Sequence, residues 1–266
     1  MPNLAYIKQE YVPLESATIS VNDRGLLFGD SVYEVMTSIN GKFVAGEKNF
    51  ARLSRGLKLL EIEAGQILEE LPVIVSKGVE LSGYRNCLIY IQVSRGEELR
   101  SVTVPSNLSP NVFCTFRELT VSDFQVKQKA GVKVGLEPDI RWGRCDIKST
   151  NLLANLLAKK SAQSRNCFEA VMYRDNIITE GGASAAIMIK DNVMVIPKEN
   201  ANILPSTKRE LIIERFAKKI GLEIQSRDFT IEEFKGADEV FVSASTYCIM
   251  PVVQVEETVI GNGKPG

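Results

Sequence analysis

The stretch VYEVMTSINGKFVA, two apolar runs either side of Asn40-Gly41, does most to narrow the folds open to this chain. Asn-Gly between two such runs specifies a β-hairpin, because that dipeptide accepts the left-handed backbone that a tight turn demands. Immediately afterwards the period becomes helical, with Phe50, Leu53, Leu57 and Leu60 recurring on one face between about Glu47 and Ile62. A half-buried sheet followed by an amphipathic helix is the signature of an α+β fold, the helix packing on the sheet.

The same reading extends along the chain. AYIKQEYVP and SATIS are strand-like, a second helix is predicted from about Gln66 to Leu81 with Pro72 opening it late, and NCLIYIQVSRG and VFCTFREL read as core strands. Apolar content falls over residues 119–131, which read as a connector and put a domain boundary near Thr120. Two α+β domains are therefore expected, one over 1–120 and one over 121–266. In the second, GVKVGLEPDI is a strand and STNLLANLLAKKSAQS a helix capped by Ser149 or Thr150. Short strands follow, parted by turns at Asp175-Asn176 and Asp191-Asn192. A helix from Thr207 to Ile220 stops at Gly221, and DEVFVSAS is the last core strand.

At 266 residues the chain can bury a large core without disulfide or metal staples. Lysine plus arginine (32) nearly balance aspartate plus glutamate (33), so no nucleic-acid or membrane partner is indicated and a small-molecule partner is expected. The start MPNLAYIKQEYVPLES has no signal-peptide pattern, and five scattered cysteines without a Cys-x-x-Cys pair suit a reducing, cytoplasmic setting. Cys145 reads as a small packed residue. The chain has no histidine, which removes Ser/His/Asp and Cys/His relays, HExxH zinc sites and His-ligated haem. Proton transfer near neutral pH then falls largely to Lys, Glu, Asp, Tyr or Cys.

GxxxxGK[ST] does not occur, and the one GxGxxG match, GNGKPG over residues 261–266, reads as a loop-like tail rather than as a strand-to-helix turn. What remains is a series of spaced polar residues: Arg52, Lys148, Glu180 before Gly181-Gly182, Ser206-Thr207 and Ser245-Thr246. Taken singly these are a helix charge, a surface lysine, a turn acid and ordinary helix caps.

In their order they are similar to the class IV aminotransferases, which are fold type IV pyridoxal-phosphate enzymes. NDRGLLFGDSVYEV resembles that family's N-terminal signature, and FARLSRGLKLLEI with Arg52 follows at the expected interval. DIKSTNLLANLLAKKSAQ resembles the segment of the family lysine, and ITEGGASAAIMI that of its glutamate. ILPSTKRE and FVSASTYCIMPVV resemble its two phosphate-binding turns.

The resemblance implies a two-domain α+β enzyme, a homodimer, in which Lys148 forms the Schiff base with pyridoxal 5'-phosphate and shuttles a proton. Arg144 or Arg141, with partial burial, is expected to keep that amine neutral. Glu180 is expected at the pyridine nitrogen, with Gly181 and Gly182 giving the ring room. Arg52, Ser206, Thr207, Ser245 and Thr246 are expected to bind the phosphate. Tyr33 is expected to line the substrate side, or alternatively to fill a core strand, and Arg100 to bind the substrate carboxylate.

The implied reaction is transfer of an amino group between an amino acid, of D- or branched-chain type, and a 2-oxo acid. Val102 stands where the D-amino acid pattern has histidine, and Thr37 where branched-chain enzymes carry a basic residue. Two alternatives stay open: an aminodeoxychorismate lyase releasing pyruvate and 4-aminobenzoate, and a non-catalytic pyridoxal-phosphate binder.

Overall fold

A computed structural model describes residues 3–266, and by its internal contacts the chain forms two units. The first runs to Thr120 and takes in Ile147–Asn151; the second comprises Val121–Asp146 and Leu152–Gly266. Lys148 thus belongs by its contacts to the first unit, where a linear division at 120 would assign it to the second.

The first unit contains β1 (Leu4–Ile7), β2 (Glu10–Pro13), α1 (Arg24–Phe28), β3 (Ser31–Ile39), β4 (Lys42–Phe43), α2 (Gly46–Leu59), α3 (Ile67–Ser82), β5 (Asn86–Ser94) and β6 (Asn111–Glu118). Its strands make one antiparallel sheet in the order β2-β1-β6-β5-β3-β4. The β3–β4 hairpin turns at Asn40 (φ 50°) and Gly41 (φ 76°), as the dipeptide requires. Val32 and Met36 of β3 join Ile89, Ile91 and Phe116 in a core with Leu53 and Leu57 of α2 and Leu71 and Val75 of α3. Burying each such side chain stabilises the unit by roughly 1.5–3 kcal/mol. SATIS forms no strand: Leu14–Ser16 is a 3-10 turn and the residues after it are irregular.

The second unit begins with α4 (Val121–Ala130), where a connector was expected. None of its residues is buried, so the low apolar content marks a solvated helix rather than a loop. It continues with β7 (Val132–Pro138), α5 (Leu153–Ser164), β8 (Glu169–Arg174), β9 (Ile177–Gly181), β10 (Ala185–Lys190), β11 (Val193–Ile196), α6 (Thr207–Ile212), β12 (Glu223–Ser226), α7 (Ile231–Lys235), β13 (Glu239–Ser243), β14 (Met250–Val255) and β15 (Thr258–Val259). One sheet runs β12-β11-β10-β13-β14-β7-β8-β9, with β15 added on β14. The helix expected to reach Ile220 is α only to Ile212, and a π-helical turn over Ile213–Ala217 follows. Because β10 is antiparallel to both β11 and β13, those two strands run the same way, and their C-terminal ends open on the same edge of the sheet. Residues 197–206 leave β11 there and residues 244–249 leave β13. These are the two turns picked out in the sequence. No described helix is long and apolar enough to cross a membrane.

Candidate active site

In the first unit the outer edge of β3 is paired with β4 only at Ser38 and Ile39. Residues 31–33 keep backbone groups that need partners, and Ile147–Asn151 supplies them. Tyr33 N donates to Lys148 O at 2.9 Å, Val32 bridges Ser149, and the Ser31 and Thr150 hydroxyls lie 2.7 Å apart. Ser149 and Thr150 therefore do not cap α5, which starts at Leu153 without a side-chain cap. Pairing with the strand edge outweighs the local capping preference. Lys148 is half-buried, and its Nζ lies 4.3 Å from the centroid of the Tyr33 ring. Tyr33 stacks in turn on Tyr90, centroids 5.5 Å apart.

Side chains alternate along β3, so Glu34 points to the opposite face from Tyr33, toward α2. There Arg52 meets it with a fork of donors, Nε to Oε1 at 2.6 Å and Nη2 to Oε2 at 2.9 Å, and Asn49 Nδ2 adds a bond at 2.9 Å. The Arg52 and Glu34 side chains are 9% and 0% exposed, so Arg52 is a buried, paired cation rather than a solvated helix charge. Glu34 is absent from the polar series read in the sequence, yet an acid at an inward position between Val32 and Met36 announces a buried partner. Arg100 is exposed, its guanidinium 5.5 Å from the Phe28 ring centroid, and the Arg24 guanidinium lies 4.8 Å from the same ring. No described contact joins Arg100 to Tyr33 or Lys148.

In the second unit Glu180, near the end of β9, is 8% exposed and accepts from Arg141 Nη1. Leu204 N also donates to it, 3.3 Å from each carboxylate oxygen. Arg141 Nη2 reaches Asn202 O at 2.9 Å, so the loop that leads to Ser206-Thr207 is tied to Glu180 and Arg141 together. Arg144 pairs with Asp146. The two guanidiniums expected to act on Lys148 are thus each matched by a carboxylate, and neither offers an uncompensated charge. Burial pushes the Asp139 carboxyl up, but the bonds and charge of Arg141, with Arg174, override it and hold it at about 2 against an ordinary 3.8. A depressed carboxyl contributes stability that is full above pH about 3.8 and is lost as the pH falls through about 2. The Asp139→Asn protein is therefore expected to show a flatter melting temperature than the parent between pH about 4 and about 2. Parallel slopes in the two thermal melts would show that Asp139 carries no such linkage.

At the start of α6, Ser206 Oγ caps the helix by accepting from Arg209 N at 3.2 Å. Thr207 Oγ1 is buried without a hydrogen-bond partner, the state of a hydroxyl built for a further acceptor. Lys208, the second residue of α6, is 1% exposed. It is a buried cation at the start of α6, beside the first of the two turns, which the sequence did not distinguish from surface lysines. An orphaned hydroxyl and a buried ammonium at the start of α6 suit a phosphate. The protein's own packing also calls for glycine at Gly181 and Gly182: a Cβ would stand 2.0 Å from Ser184 Oγ or 2.8 Å from Lys159 Cγ. Cys145 is 6% exposed and gives its thiol to Trp142 O at 3.2 Å; burial pushes it up, in keeping with a packing role.

The profile of the class IV aminotransferases matches residues 31–255. A D-alanine aminotransferase of Listeria monocytogenes serotype 4b (strain F2365) is 36% identical over 263 residues, 98% of this chain and 90% of the relative. One from Staphylococcus haemolyticus is 33% identical over 261 residues, 98% of this chain and 92% of the relative. Among solved structures, the branched-chain amino acid aminotransferase of Escherichia coli superposes with a TM-score of 0.91 at 22% identity, over 100% of this chain and 90% of that one. The fold is therefore that of fold type IV, and neither the lyase nor the non-catalytic reading is favoured. Carrying these motifs on this fold, the chain belongs to the class IV aminotransferases, pyridoxal-phosphate-dependent enzymes that move an amino group between an amino acid and a 2-oxo acid.

Proposed function

We propose that the amino donor is a D-amino acid of the alanine type, and that Lys148 holds the cofactor and moves the proton at the substrate carbon. The observation that carries the lysine assignment is its amine, half-buried and 4.3 Å from the face of Tyr33. A surface lysine would point into solvent, whereas this one is held against an aromatic ring, its backbone tied to the edge of β3. When bound, pyridoxal phosphate accepts the amino group and withdraws electrons from the carbon that loses its proton. Glu180 opposes the ring nitrogen, where an ionised carboxylate favours a positive ring. Thr207, Ser206, Ser245 and Thr246 donate to the phosphate, and Arg52, while paired with Glu34, adds a guanidinium N–H donor. Tyr33 lines the substrate side, and Arg100 takes the substrate carboxylate by paired donors.

The D-amino acid assignment is supported by the relatives that cover nearly the whole chain, both D-alanine aminotransferases, and by Arg100 within GEELR. Purified holoenzyme given 2-oxoglutarate with D-alanine, L-alanine or L-leucine is expected to form pyruvate from the D-isomer at the greatest kcat/KM. Preferential consumption of L-leucine would transfer the assignment to branched-chain L-amino acids, and release of 4-aminobenzoate from aminodeoxychorismate would restore the lyase.

A further inference from the structure

We infer that Arg141 is the positioning residue that sets Glu180, ionised and in a single orientation, against the ring nitrogen of the cofactor. The inference rests on the reading that Glu180 meets that nitrogen. It starts from a buried cluster in the second unit whose members lie far apart in the chain. The side chains of Asp139, Arg141 and Glu180 are 0%, 6% and 8% exposed. Arg141 Nε donates to Asp139 Oδ1 at 2.9 Å and Nη2 to Oδ2 at 2.8 Å, the planar fork that a carboxylate fits. Nη2 also reaches Asn202 O at 2.9 Å, which leaves Nη1 directed at Glu180 Oε1.

Asp139 is itself immobilised. Thr179 Oγ1 donates to its Oδ2 at 2.9 Å, and Arg174 Nη2 to its Oδ1 at 3.2 Å. Arg174 Nη2 also holds Arg141 O at 2.9 Å, so side chain and backbone of Arg141 are both clamped. A guanidinium held this firmly fixes the rotation of the carboxylate it touches. Leu204 N does not, since it stands at the same 3.3 Å from both oxygens, longer than a usual N–H···O bond.

Charge balance points the same way. Arg141 and Arg174 bring two positive charges, and Asp139 with Glu180 bring two negative ones. Protonating Glu180 would leave a net positive charge on this cluster, in which Asp139, Arg141 and Glu180 are buried and Arg174 is a quarter exposed, and the burial opposes it. Arg141 thereby favours the carboxylate over the carboxylic acid. An ionised Glu180 keeps a proton on the ring nitrogen, and the proton-bearing ring is the stronger electron acceptor.

The test uses holoenzyme carrying pyridoxal phosphate labelled with 15N at the ring nitrogen. The wild-type resonance is expected at the protonated position, and Glu180→Gln is expected to move it to the neutral one. Arg141→Gln should move it the same way, with kcat about ten- to hundredfold lower and KM for the amino donor little changed. Arg141→Lys keeps a cation and should stay near the wild-type resonance. A wild-type resonance in Arg141→Gln alongside a shifted Glu180→Gln would overturn the role of Arg141 alone. An unmoved resonance in Glu180→Gln would remove the reading of Glu180 and this inference with it. Should Arg141→Gln not fold, Arg141→Lys decides: a resonance matching that of Glu180→Gln overturns the assignment.

Discussion

Lys148→Ala is expected to yield a folded protein that lacks the borohydride-sensitive visible absorption band and turns over at least about 10²–10⁴-fold more slowly, the range for losing a positioned proton carrier. The backbone bond from Tyr33 N to Lys148 O does not depend on the side chain, so the strand edge of β3 stays paired. What the fold loses is an amine on the Tyr33 ring, a contact contributing about 0.5–2 kcal/mol depending on how dry it is. Activity should therefore collapse while the urea midpoint moves little. Wild-type turnover in this variant would refute the assignment of the lysine.

The second large effect is on stability. Arg52→Ala leaves Glu34, 0% exposed, with a negative charge opposed only by neutral donors such as Asn49. Removing one partner of a buried ion pair typically costs about 3–5 kcal/mol, a large part of a domain's net stability. In urea unfolding of the apo-protein, Arg52→Ala should be much weaker than Arg52→Met combined with Glu34→Leu, where charge and countercharge leave together. Equal losses in the single and double variants would show that the pair is not what makes Arg52 necessary. The double variant also isolates the proposed phosphate role: with the fold restored, cofactor affinity is expected to remain about ten- to hundredfold low, because one charge-assisted bond is gone.

These two residues show where reading by pattern succeeds and where it stops. Arg52 was legible as a helical arginine at the family spacing, and α2 occupies nearly the predicted span. Its partner was not legible, since Glu34 is eighteen positions away on a strand and the match depends on which face of β3 meets α2. Lys148 was likewise legible by type and motif, but the local pattern placed Ser149 and Thr150 as helix caps. Only the open edge at 31–33 draws the segment onto β3. Arg141 was visible as a cation near the lysine, whereas its bond to Glu180 requires β7 and β9, distant in sequence, to bring their ends together.

Local chemistry was written plainly in the chain. The turns at Asn40-Gly41, Asp175-Asn176 and Asp191-Asn192 all have the positive φ that their residue types tolerate, and the absence of histidine limited the available acids and bases before any fold was known. Such preferences act over a few bonds, so neighbouring residues suffice to express them. Folding in three dimensions chose the partners: which carboxylate faces which guanidinium, which hydroxyl is left without an acceptor, and which lysine is buried. Those choices depend on strand register and on desolvation, and both arise only when segments far apart in the chain share one interior.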